Sequence, residues 1–377
     1  MKQNLLGKTG LRVSALSFGA SALGGVYGKV DEAEGIRAVH TALDLGINYF
    51  DVAPAYGGTV SETVLGKALK GIPRGRYYLS TKVGKYTQPG GYGEDTLDYS
   101  RARIRASLDE SARRLGTDYF DIIHLHDFEY QRRQHAEWAL TEGVETLVEL
   151  KKQGRIGNVS FGIYPMDLWH RIFDTLPADA GLVHNHYTLH DTRALELLPT
   201  AKQKGIGIIN GSPFGSGLLS GREAPDWHPA TEEDRGLFRY AARFCDSCGV
   251  PISKLALQFS SQNPDFPTTL FSSSRAESVR LNVAWHEEPF DASLLAEVQR
   301  ILAPVRNKQW DYDAAVDRLK TDSQGETTHS AQDLPLTAGV FPAFAARSLQ
   351  AAPAEDLLAP GLPATKTGQE SGMTSSP

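Results

Sequence analysis

Residues 44–56 read DLGINYFDVAPAY, and the order of residue types in that stretch decides the fold. A helical run closes at Gly46, a residue suited to a left-handed C-cap. An apolar stretch follows at once, and Asp51 and Tyr56 stand at its far end. The same helix–Gly–strand transition recurs at KKQGRI (151–156) and KQKGIG (202–207). Working outward, strand-like runs fall at 13–21, 48–56, 77–84, 120–127, 157–164, 181–188, 206–214 and 266–273. Between them lie amphipathic helical runs such as 31–45, 61–70, 100–115, 142–153, 194–204 and 277–285. Eight strands alternating with eight helices predict an α/β fold of the (β/α)8 TIM barrel type rather than an open doubly wound sheet.

The flanks complete this plan. KQNLLGKTGLRVS reads as a hairpin turning at Lys8-Thr9-Gly10, placed to plug the N-terminal mouth of a barrel. Residues 292–302 predict an extra helix after the last barrel helix, continuing into APVRNKQW. The composition then changes: 325–377 has no Tyr or Trp and six Pro. Residues 1–320 are therefore expected to form the barrel domain. Residues 321–377 are expected to be a disordered tail, with a short helix over 341–352.

The 377 residues are 41% hydrophobic and 22% charged, an ordinary globular composition. A net charge of −6 gives no electrostatic case for nucleic acid or an anionic membrane. No apolar run approaches the roughly 18 residues of a membrane span. The opening MKQNLLGKTGLRVS lacks the apolar core of a secretory signal. With Cys245 and Cys248 alone there is no disulfide framework, which fits a cytoplasmic location. Their Cys-x-x-Cys spacing falls inside a predicted helix, 233–249, and nothing nearby supplies further ligands. Inert thiols and no metal are expected.

The chemistry-bearing residues cluster at strand ends. YYLSTKVG (77–84) carries Lys82 and FDIIHLHD (120–127) carries His126, beside Asp51 and Tyr56. A phenol, an ammonium, a carboxylate and an imidazole together suit proton transfer coupled to oxidation or reduction at a carbonyl carbon. Barrel chemistry sits at the C-terminal face. The long connections 85–99, 128–141 and 217–232 are the expected walls of a substrate pocket. Strict alternation points His124 inward as well, one layer below His126, as a packed or hydrogen-bonded interior residue.

DVAPAYG, SETVLGKAL, Thr81-Lys82, DIIHLH, SPFGSGLL (212–219) and SSSRAESVRLN (272–282) together resemble the aldo-keto reductase superfamily. FGASALGGVYG, the HLHD run, PDWHPA, KLALQ and LAPVRN are similar to its L-galactose dehydrogenase and aldose 1-dehydrogenase group. The resemblance covers residues 5–310. It implies a catalytic tetrad of Asp51, Tyr56, Lys82 and His126, with Tyr56 as general acid/base. Lys82 would lower a phenol pKa that is ordinarily about 10. It also implies a nicotinamide cofactor held by Ser212, Phe214, Gly215 and Leu218 at the phosphates, and by Ser272, Ser278 and Asn282 at the adenosine end. Gly211 replaces the aromatic residue that many relatives stack on the nicotinamide. Phe161-Gly162-Ile163-Tyr164 replaces the usual Ser-Asn, leaving His184 or Asn185 for the carboxamide. Because Ser272 and Ser278 stand where NADPH-preferring relatives often carry cations, NAD is expected. NADP is possible through Arg275.

The implied activity is NAD-dependent oxidation of an aldose to its lactone at C1. L-Galactose comes first among the substrates, with L-fucose or D-arabinose behind it. An NADPH-dependent aldehyde or pyridoxal reductase is the alternative. A non-catalytic regulator resembling a potassium-channel β-subunit is a further one. The only implied partner is the small sugar, with neither nucleic acid nor membrane.

Overall fold

The computed structural model describes residues 1–26, 29–88 and 93–312. The tail expected from residue 321, and the helix expected over 341–352, lie outside the described residues.

The chain enters through a small antiparallel hairpin, β1 (Gln3–Leu5) and β2 (Arg12–Ser14), turning through Gly10 in the left-handed region (φ 78°). It then supplies β3 (Leu16–Gly19), α1 (Glu32–Asp44), β4 (Tyr49–Asp51), α2 (Val60–Leu69) and β5 (Tyr78–Val83). An excursion β6 (Lys85–Gln88) and β7 (Gly93–Leu97) leads to α3 (Arg101–Leu115) and β8 (Phe120–His126). The helical turn α4 (Ala136–Trp138) runs through a widened π turn into α5 (Val144–Lys152). Then follow β9 (Ile156–Ile163), α6 (Met166–Thr175), β10 (Ala180–His184), α7 (Leu198–Lys204) and β11 (Gly207–Gly211). The remainder is α8 (Glu232–Ser247), α9 (Ile252–Ser261), β12 (Thr268–Ser272), α10 (Ala276–Glu287) and α11 (Ala292–Ile301).

Eight parallel strands close into the expected barrel in the order β10-β11-β12-β3-β4-β5-β8-β9. The period-2 alternation of each strand builds its two faces. In β5, Leu79 and Val83 pack outward among the helices, while Ser80 and Lys82 turn inward. In β8, Ile123 and Leu125 go out, and Ile122, His124 and His126 go in. The interior is therefore graded. At the N-terminal end Leu6 and Val13 of the hairpin region pack with Tyr49, Ile122, Leu182 and Ile209 as an apolar plug. Polar side chains collect at the opposite mouth.

Two expectations change in detail. The run 13–21 divides, because its first residues pair with β1 and only Leu16–Gly19 joins the barrel. Residues 85–99, read as a loop, contain the β6–β7 hairpin. The extra helix is present as α11, which packs with α8 in a second apolar cluster outside the barrel ring. Cys245, buried in α8, and the exposed Cys248 are free thiols. Among the described residues no helix is long and apolar enough to cross a membrane.

Candidate active site

The four strand-end residues meet at the C-terminal mouth. Asp51 ends β4 and Lys82 lies near the end of the neighbouring β5, both within 1% of complete burial. Lys82 Nζ donates to Asp51 Oδ2 and, at 2.9 Å, to the Val52 carbonyl. Ser80 Oγ donates to Asp51 Oδ1 at 2.7 Å. Burial works to raise the Asp51 pKa. The Lys82 ammonium and the His124 contact outweigh it and hold the carboxyl well below its usual range. Burial also draws Lys82 below the ordinary ammonium value, against the pull of Asp51.

Tyr56 is brought to this pair by a tight loop. Tyr56 N donates to the Ala53 carbonyl at 3.1 Å, and Ser61 N donates to the Tyr56 carbonyl at 3.3 Å. Lys82 Nζ lies 5.0 Å from the Tyr56 ring centroid. The His126 ring, at the end of β8, stands edge-on to Tyr56 with centroids 6.2 Å apart. Burial is the main reason His126 titrates at about 3; Asp127 pulls the other way, and Lys82 and Lys85 oppose that pull. His126 is thus a neutral imidazole near pH 7.

His124 takes the interior place that alternation assigned to it. It is fully buried, with Nδ1 2.9 Å from Ser160 Oγ and Nε2 3.2 Å from Asp51 Oδ1. It therefore supports Asp51 from below.

Three residues at the mouth escaped the sequence reading. Lys85 is only 4% exposed; it donates to Asp127 Oδ2 at 2.6 Å and sits over the Tyr130 ring at 4.1 Å. Asp127 Oδ1 is 3.2 Å from His126 Nε2. Buried Glu129 accepts from Tyr164 N at 2.7 Å, and burial together with Asp127 raises its carboxyl to about 8. The signal available was HLHD itself, an Asp immediately after the strand-end His.

The aromatic wall of the mouth comes from distant segments. Tyr164 stacks on His186 at 4.7 Å and meets Tyr312 edge-on at 5.1 Å. PDWHPA folds inward, with His228 against Trp310 at 5.2 Å.

The expected dinucleotide residues fall into two groups at the ends of the adjoining strands β11 and β12. Ser212, Phe214, Gly215 and Leu218 form the turn after β11, with left-handed backbone at Ser212 (φ 58°) and Gly215 (φ 57°). Gly211 lets β10 and β11 pack closely: a Cβ there would lie 3.1 Å from His184 Cβ and 3.2 Å from Leu182 Cδ1. Asn185 is tied to this turn, Nδ2 donating to Ser216 Oγ at 2.9 Å. In the second group Ser272 Oγ accepts from Ala22 N at 2.9 Å and from Ser21 Oγ at 3.0 Å, leaving its own proton to donate. Ser278 and Asn282 lie one turn apart on α10. Asn282 is only 6% exposed. The turn after β11, rich in left-handed backbone, fits the phosphates of a dinucleotide, and the Ser272 hydroxyl is a free donor for its polar end.

Comparison with known proteins shows what the chain as a whole is similar to. The chain is 40% identical to the L-galactose dehydrogenase of Arabidopsis thaliana over 314 residues, covering 81% of this chain and 95% of that one. It is 31% identical to a D-threo-aldose 1-dehydrogenase of Pseudomonas sp, covering 77% and 94%. Among solved structures, a holo aldo-keto reductase of Bacillus halodurans superimposes with a TM-score of 0.65 at 28% identity, covering 80% of this chain and 96% of that one. Aldo-keto reductases work with a nicotinamide cofactor, so the chain is an NAD(P)-dependent oxidoreductase. The family model matches residues 15–303, nearly the whole described barrel, and this chain belongs to the aldo/keto reductase family.

Proposed function

We propose that this protein oxidises an aldose at C1 to the lactone with NAD, L-galactose or a sugar of L-fucose or D-arabinose type being the substrate. The observation that carries the reading is the buried Lys82–Asp51 pair, with its ammonium 5.0 Å from the Tyr56 ring centroid and the His126 ring edge-on to that phenol. The 40% identical L-galactose dehydrogenase supports the substrate class.

Ser212, Phe214, Gly215, Leu218, Ser272, Ser278 and Asn282 would hold the nicotinamide cofactor, which when bound supplies the hydride acceptor this oxidation needs. The protein's own part is the proton. Lys82, kept charged by Asp51, favours the phenolate of Tyr56, and that oxygen takes the anomeric hydroxyl proton as C1 is oxidised. His126 enters neutral and orients the reacting end of the sugar. The barrel fixes Asp51, Lys82 and His126 on strand ends and a tight loop holds Tyr56 beside them, so alignment is prepared before the substrate arrives.

NAD is favoured over NADP because neither Ser272 nor Ser278 carries a cation for a 2′-phosphate. The nearest candidate, Arg275, faces Glu277 at 3.5 Å. Initial rates on a panel of aldoses, measured with NAD and NADP in both directions, test the proposal. NAD reduction with L-galactose is expected to be fastest. Turnover only with NADPH on aldehydes or pyridoxal would replace the dehydrogenase by a reductase. Cofactor binding with no turnover in either direction would favour a regulator.

A further inference from the structure

Below the Lys82–Asp51 pair the barrel interior holds two hydroxyls to which the proton transfer above gives no part. Tyr49 stands two residues before Asp51 on β4, so alternation points both inward. Ser80 stands two residues before Lys82 on β5, and the strand register sets Ser80 directly beside Asp51. Tyr49 and Ser80 are completely buried. The apolar plug needs only the ring of Tyr49; a hydroxyl is costly to bury there unless it is employed.

The hydrogen bonds run one way. An ionised carboxylate only accepts, so the 2.7 Å contact from Ser80 Oγ to Asp51 Oδ1 uses the serine proton. The 2.8 Å contact between Tyr49 Oη and Ser80 Oγ is then donated by Tyr49. Burial first, and then Asp51 and Asp121, keep that phenol protonated and so a donor. A chain of two donors thus ends on Asp51 Oδ1 while Lys82 Nζ donates to Oδ2, and each bond in such a chain polarises the next.

A buried lysine–carboxylate pair has two forms, one charged and one with the proton passed to the carboxyl. Desolvation disfavours the charged form. Donors on the carboxylate favour it, and only that form sets a cation beside the Tyr56 ring. The other groups in reach do not supply this balance. His124, facing Asp51 from β8, and His126 are both held neutral by burial. Asp127 and Glu62 favour the ammonium but give Asp51 no donor.

We propose that Tyr49 and Ser80 are positioning residues whose hydroxyl chain holds the Lys82–Asp51 pair in its charged form. They act through Asp51. Their effect is to lower the pH above which Tyr56 takes the anomeric proton, which rests on the reading of Tyr56 as proton acceptor.

The test is the 13C spectrum of the full chain labelled at tyrosine Cζ, titrated with pH, with Tyr56 assigned by its loss in Tyr56→Phe. Ser80→Ala should move the Tyr56 titration up by about one pH unit, the scale of one hydrogen bond to a charged group. Tyr49→Phe should move it the same way by less, and Ser80→Thr, which keeps a hydroxyl, should titrate as the wild type does. In the kinetics, Ser80→Ala should lower kcat about tenfold on the acid side of its pH profile and match the wild type at high pH, with NAD affinity unchanged. A Tyr56 titration unmoved or lowered in Ser80→Ala and Tyr49→Phe overturns the proposal. So does a kcat reduced equally at every pH, the mark of simple displacement. Should Ser80→Ala not fold, Tyr49→Phe decides, since it removes one oxygen and keeps the ring. The spectral arm needs no sugar: a shifted titration without turnover would sustain this inference and refute the dehydrogenase reading, and turnover without a shift would do the reverse.

Discussion

At the scale of single residues, the Lys82–Asp51 pair couples stability to chemistry. Lys82→Met would leave the Asp51 carboxylate buried without its cation, which costs about 3–5 kcal/mol. The expected result is a clear loss in thermal midpoint together with loss of activity. Adding Asp51→Asn to Lys82→Met should recover most of the stability, because neither charge remains to be solvated, but none of the activity. Stability that fails to return in the double variant would show that the pair is not coupled as described. Asp51, Lys82 and His126 were legible in the sequence because period-2 alternation turns them inward at the ends of their strands, whereas Tyr56, in the loop beyond β4, was legible through the family resemblance of DVAPAYG. Asp127, Lys85 and Glu129 were not legible. Their contacts arise after the strands have ended, where backbone turns such as the left-handed one at Asp127 replace alternation as the rule for side-chain direction.

At the scale of elements, the loop from β4 to α2 positions Tyr56 by close backbone packing. Gly57 is left-handed (φ 59°), and a Cβ there would collide with the carbonyl oxygen of Gly24. Gly57→Ala must therefore move either the Ala20–Gly24 turn or the Tyr56 loop. We expect kcat to fall at least tenfold, with cofactor affinity nearly unchanged, since a displacement on the order of 1 Å at a reacting group costs about 100-fold. Wild-type kcat in Gly57→Ala would mean that Tyr56 is held by something else. Element order was readable from alternating runs and Gly-capped helix ends, but lengths were not. Strand signals ran on past the last paired residue, as in 48–56 against the paired Tyr49–Asp51. The Gly- and Tyr-rich composition of 85–99 concealed a hairpin whose pairing is entirely local.

At the scale of the whole molecule, the barrel buries imidazoles in neutral form. Burial lowers His126 and His228 to about 3 and His190 to about 4, and His124 shifts in the same direction. Unfolded, each would titrate near 6.5, so between that pH and the folded values the unfolded chain binds more protons. Stability present above pH 6.5 is therefore lost as pH falls, by about 1.4 kcal/mol per pH unit for each such histidine. Glu129, raised to about 8, opposes this by one proton between pH 8 and its ordinary value of 4.5. The thermal midpoint should decline steadily from pH 6.5 to 4.5. An unchanged midpoint across that window would contradict the neutral, buried assignment. The central claim is that the mouth of this barrel oxidises a sugar through the Tyr56 phenol. It is tested most directly by the rate of NAD reduction with L-galactose in Tyr56→Phe beside the wild type. The account predicts a fall of about 100- to 10,000-fold in kcat with NAD affinity preserved; a Tyr56→Phe enzyme that turns over at the wild-type rate would contradict it.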